Sequence, residues 1–178
     1  MRTKLCVVGF LLSAGVVGLV AGCGSSPSAA NMNTAGPSPE GKAYLLATEP
    51  QNAMNVRDTK TNARSDDKVT VVGRIGGDVN PWIESQAAFL VVDTSLKPCN
   101  EMHDDGCKTP WDYCCDAGDL AANKAMVKIV DSSGKPVATD ARKLLGVKEL
   151  QTVVVQGVAK RDEAGNLTVL ADGVFVRN

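Results

Sequence analysis

The chain has 178 residues, with 19 Lys and Arg against 20 Asp and Glu and a single His, for a formal net charge of −1 at pH 7. A mildly acidic chain without a basic block lacks the cationic surface that phosphate neutralisation needs, which argues against nucleic acid as a partner. Its length suits one compact domain rather than two, and aromatics are only 4% of the residues, so a core must be built mainly from Val, Leu, Ile and Ala.

The first segment, Met1-Arg2-Thr3-Lys4, is short and basic, and Leu5 to Val20 is an apolar run. Small residues follow, in Val20-Ala21-Gly22-Cys23. These are the parts of a secretory signal, and the apolar run is short for a membrane span of about 20 residues. Val20-Ala21-Gly22-Cys23 resembles the lipobox of bacterial lipoproteins. That resemblance implies cleavage before Cys23, acylation of the Cys23 thiol and amine, and an exported protein held to the cell envelope by lipid. Residues 1–22 are then the signal peptide, taking Cys6, Arg2 and Lys4 with them. Gly24 is not the aspartate that marks inner-membrane retention in some bacteria, which favours the outer membrane. Residues 23–42 are rich in Gly, Ser, Pro, Ala and Asn without hydrophobic period, and read as a lipidated flexible tether. Residues 43–178 form the single domain.

Within the domain, Thr48-Glu49-Pro50 has the pattern of a helix start, predicting a short helix that ends near Thr59. β-Branched or apolar runs predict strands over 69–75, 88–93, 126–131, 153–159 and 167–176, the last bent at Gly173. A second short helix is expected over 140–145, capped by Asp140 or Thr139 and stopped by Gly146. Three strands, a helix, then a closing hairpin resemble an OB-fold: a mainly β, small five-stranded barrel with one or two short helices. A small β-sandwich is the rival. The OB-like resemblance implies a binding face on the barrel and its loops.

Between the second and third strands lies a long cysteine-rich insertion, residues 96–119. It holds Cys99, Cys107, Cys114 and Cys115, the only histidine, His103, and Trp111 with Tyr113. An even cysteine count in an oxidising compartment reads first as two disulfides. Alternatively, the thiolates, with His103 as an extra ligand, suit zinc, copper(I) or iron, although the spacing lacks paired CxxC knuckles. A redox-active disulfide is the third option. Carboxylates nearby, among them Asp93, Asp104, Asp105, Asp112 and Asp116, read as solvated loop acids. Trp82, Trp111 and Tyr113 are candidate platforms for stacking a ligand.

Cys107-Lys108-Thr109-Pro110-Trp111-Asp112-Tyr113-Cys114-Cys115 and the flanking strands resemble uncharacterised exported bacterial proteins with a TPWDYCC motif, over about residues 44–177. The resemblance brings no activity with it. No GxSxG, SxxK, HExxH or phosphate-binding glycine loop is present, so no catalytic residue is expected. The expected function is a non-enzymatic binding or structural module at the envelope, meeting an envelope protein or small ligand. The alternative is metal binding or thiol redox chemistry at Cys99, Cys107, Cys114 and Cys115.

Overall fold

The structure, a computed structural model, describes residues 36–102 and 106–177. The expected signal peptide, Cys23 and most of the expected tether therefore lie outside the described residues. The elements run β1 (Met54–Asn55), α1 (Val56–Asn62), β2 (Lys68–Ile75), β3 (Trp82–Ile83), β4 (Ala88–Val92), α2 (Cys99–Met102), α3 (Ala117–Leu120), β5 (Lys124–Ile129), α4 (Ala141–Leu145), β6 (Thr152–Arg161) and β7 (Leu167–Val176). Among the described residues no helix is long and apolar enough to cross a membrane.

The five strands expected from β-branched runs are β2, β4, β5, β6 and β7. They pair in the order β2-β6-β7-β5-β4, and β4 returns to β2 through Arg74↔Val92 and Ile75↔Val91. That last pairing closes a barrel and removes the sheet edge that each of its strands would otherwise expose. All neighbours in the barrel are antiparallel except β5 and β7, which run parallel from Met126↔Thr168 to Ile129↔Ala171. With a helix between its third and fourth strands, this is the small OB-like barrel. The short β1 and β3 extend the sheet at its two ends.

Alternation places one face of each strand inside. β5 reads half-buried, buried, in strict turn, so Ala125, Val127 and Ile129 point inward. They meet Val71, Phe89, Val91, Val153, Val155 and Val169 in one core of β-branched and aromatic side chains. β5 sits two residues earlier than the apolar run suggests. Asp131 ends it: its Oδ1 accepts from Ser133 and Lys135 N–H groups and folds residues 131–135 into a turn.

Sharp coiling is concentrated where β6 meets β7. Gln156 pairs with Gly173 but Gly157 with Ala171, so β7 carries one extra residue, Asp172, beside the expected bend. A Cβ on Gly157 would lie 2.1 Å from the Leu170 carbonyl oxygen. Only glycine allows the strands to approach this closely.

α4 follows its sequence signals. Asp140 Oδ1 accepts from the Arg142 N–H at 2.9 Å, Gly146 takes the left-handed cap at φ 69°, and Ala141, Leu144 and Leu145 form the buried face. The first helix differs from expectation. Residues 48–53 are not helical and Asn52 is left-handed at φ 58°. α1 starts instead behind Asn55, whose Oδ1 accepts from Asp58 N–H at 2.7 Å, and it continues to Asn62. Val56 and Thr59, three residues apart, are its buried contacts.

The packed domain also begins before residue 43. Ser38 N–H donates to the Leu144 carbonyl at 3.0 Å, and Gly41–Tyr44 form a 3-10 turn. Leu46 N–H then bonds the Val174 carbonyl at 2.8 Å. Residues 38–46 thus strap α4 to β7 rather than hanging free as the end of a tether.

Candidate functional site

The insertion joins β4 to β5 and is held at both ends. Asp93, at the end of β4, is 1% exposed. Its Oδ2 accepts from Arg57 N–H in the first turn of α1 at 2.8 Å, and its Oδ1 from Ser95 N–H at 2.9 Å. At the other end Asn123 is buried, and its carbonyl accepts from Asp93 N–H. α2 is tied back to β2 by an ion pair, Arg74 Nη1 to Glu101 Oε1 at 3.0 Å.

The middle of the insertion lies against the β2–β3 loop. The Trp111 carbonyl accepts from Gly77 N–H at 2.7 Å, and Trp111 Nε1 donates to the Val79 carbonyl at 3.1 Å. A Cβ on Gly76 would meet the Trp111 oxygen at 2.5 Å, so this glycine is what admits the loop. Pro110–Asp112 and Cys114–Asp116 are 3-10 turns, and Tyr113 between them is left-handed at φ 59°. Its side chain is fully buried. This reversal brings Asp112 and Cys114 together: Asp112 Oδ1 accepts from Cys114 N–H at 2.9 Å, and Oδ2 from the Thr109 hydroxyl at 2.9 Å.

On this frame the ligand atoms of Cys99, Cys107, Asp112 and Cys114 all lie within 4.8 Å of one another. Cys99 and Cys114 Sγ are 3.4 Å apart, and Cys99 Sγ is 3.9 Å from Asp112 Oδ1. The group runs from inside to outside: Cys99 is buried, Cys107 and Asp112 are half-buried, and Cys114 is exposed. An ion bound tetrahedrally at a metal–sulfur distance of about 2.3 Å needs sulfurs about 3.8 Å apart. The observed separations bracket that value, so the four residues can hold a metal ion.

The titration of the group is uneven. Burial pushes the Cys99 thiol up, but hydrogen bonds from the Cys115 N–H and from the Cys114 and Cys115 thiols outweigh it and hold it below the ordinary value. Cys114 moves the other way, because its thiol donates to Cys99 and Asp112. Burial raises Asp112, and the Cys114 N–H and the Thr109 hydroxyl more than reverse that. Tyr113 is raised by burial, with Arg74 opposing.

The structure thus brings together Cys99, Cys107 and Cys114, and adds Asp112. Cys115 sits on the rim, exposed, and contacts Cys99. His103 lies outside the described residues, as do Asp104 and Asp105. No pair of cysteine sulfurs among the described residues stands at the roughly 2.05 Å of a disulfide, so the two-disulfide form is not the state described.

Two of the three expected stacking platforms are closed. Trp82 is 4% exposed; its Nε1 donates to Glu149 Oε1 at 2.6 Å, its ring packs 5.9 Å from Phe89, and the Arg142 guanidinium lies 5.4 Å over it. It packs β3 against β4, α4 and the loop after α4. Tyr113 is an anchor, and its hydroxyl finds no partner meeting hydrogen-bond geometry among the described residues. Trp111 alone stays half-exposed, beside Val79 at 63% exposure.

Asp112 was hidden among many acids, yet it carried a signal. An aspartate two residues before a cysteine can fold an Asx turn that turns carboxylate and thiol to one side. Neither a protein-family model nor a curated protein matches this chain.

Proposed function

We propose that the chain is an exported lipoprotein, anchored through Cys23, whose OB-like barrel presents a thiolate centre for a metal ion. One observation carries the metal: three sulfurs and a carboxylate from a 16-residue stretch converge within 4.8 Å. Separate elements deliver them. Cys99 comes from α2, Asp112 and Cys114 from the 3-10 turns, and Cys107 from the connecting loop. Thiolates select soft or borderline ions, so zinc and copper(I) suit this donor set best. Anchoring rests on the basic, apolar and small-residue succession that ends at Cys23. Several acyl chains give stable anchoring where one alone binds marginally.

A thiol oxidoreductase is less well supported: an exchange site needs two sulfurs, whereas here a third sulfur and a carboxylate converge on the same point, as a metal requires.

The test is fractionation of the exported full chain, followed by metal analysis of the membrane extract under reducing conditions. The expected result is a membrane-bound protein with about one equivalent of zinc or copper. Cys99→Ser and Cys107→Ser should each lower the affinity by roughly tenfold or more, and Cys23→Ser should release the chain from the membrane. A reduced, folded chain that takes up neither ion would defeat the metal reading.

A further inference from the structure

Two of the sulfurs assigned to the metal are also closest to bonding each other. We propose that Cys99 and Cys114 form a reversible disulfide that excludes the metal, making the centre a redox-gated site. This inference rests on the metal-binding reading above. The four cysteines of the insertion offer six possible single links. The geometry favours the one that joins Cys99 to Cys114, whose sulfurs stand at 3.4 Å and need move only to about 2.05 Å. A bond between the adjacent Cys114 and Cys115 would require a strained geometry.

The frame also assigns the order of events. Cys114 is exposed and Cys99 is buried, so an external oxidant reaches Cys114 first. The oxidant is a disulfide, RSSR, of the kind present where exported proteins fold. Cys114 loses its proton and its sulfur attacks RSSR; the S–S bond of the oxidant breaks and one RS⁻ leaves. Cys99 sulfur, deprotonated, then attacks Cys114 Sγ in the mixed disulfide. The Cys99–Cys114 bond forms and the second RS⁻ departs. Two electrons pass from the cysteine pair to RSSR, and the two thiol protons end on two RSH. A bound ion blocks the sequence, because both sulfurs are then ligands. Once formed, the disulfide leaves only Cys107 and Asp112 of the four ligands, too few for a closed site.

The test uses the full chain, reduced and freed of metal by chelation. One portion is kept reduced and another treated with oxidised glutathione; each is offered zinc and copper(I). Proteolysis without reductant and mass spectrometry then map the links. The proposal expects uptake of about one ion by the reduced portion, a Cys99–Cys114 peptide in the oxidised portion, and uptake there lower by at least roughly tenfold. Loading with metal before the glutathione should slow formation of that peptide, and reductant should restore uptake. A different dominant link, or an oxidised chain that still binds the ion, overturns the gate and leaves the metal reading standing. A reduced chain that binds neither ion overturns both. Cys115→Ser leaves the four ligands in place, so a variant that far-ultraviolet circular dichroism shows folded should still lose uptake on oxidation; one that keeps its uptake after oxidation also overturns the pairing.

Discussion

Asp93 shows what a single residue hides in sequence. It ends the apolar run Ala88-Phe89-Leu90-Val91-Val92 and reads as a solvated loop acid. In the fold it is buried and accepts two backbone N–H groups, one of them 36 positions earlier in α1. Asp93→Ala strands both donors, and should lower the unfolding free energy by about 2 kcal/mol, measured by urea denaturation. An effect below about 0.5 kcal/mol would mean that water replaces the carboxylate. A still longer separation in sequence conceals the role of Trp82, whose covering groups come from α4 and Glu149. The cysteines were legible as a cluster because they share one loop. Their approach to a common point was not, since it depends on the left-handed turn at Tyr113.

At the scale of elements, the legible helix was the one whose signals are local. Asp140, the apolar face and Gly146 all lie within seven residues, and α4 forms as they indicate. Thr48-Glu49-Pro50 carries equally good local signals, but the helix starts at Asn55, where Asp93 adds a second acceptor from another strand. Tertiary partners decided between two possible starts. For α4 the electrostatics make a pH prediction. The hydrogen bond from Arg142, reinforced by its charge, holds the Asp140 carboxyl below the usual carboxylate range. A lowered folded-state pKa contributes stability above the unfolded value of about 3.9, and loses it as pH falls through the folded value. Asp140→Asn keeps an N-cap acceptor but loses the charge. It should therefore be less stable than the parent by about 0.5 kcal/mol at pH 7, a gap that closes as pH falls below about 3.9. Urea midpoints at both pH values measure it; a gap of unchanged size in acid would assign the effect to packing.

The whole barrel was the most legible level, because its topology follows from five apolar strands in order and one helix between the third and fourth. The closure between β2 and β4 and the crowding at Gly157 were less so. A glycine inside a strand signals a bend or a close approach without saying which backbone comes near. Here it is Leu170, and Gly157→Ala should cost about 3 kcal/mol by forcing β6 from β7. A thermal midpoint within a degree of the parent would show that the two strands can separate without loss. Glycine misled in the opposite sense at Gly41, which composition reads as slack. A Cβ there would sit 1.6 Å from the Leu144 oxygen, so the residue marks a tight seat.

That seat sets a reach. The domain takes hold of its chain at Ser38, through the bond to the Leu144 carbonyl. Only about 15 residues then separate the domain from Cys23, and even a fully extended chain of that length covers no more than about 50 Å. If Cys23 carries lipid as proposed, the barrel would work within about that distance of the bilayer. Under the same proposal, whatever delivers metal or oxidant to its thiols would have to come to the membrane surface to do so.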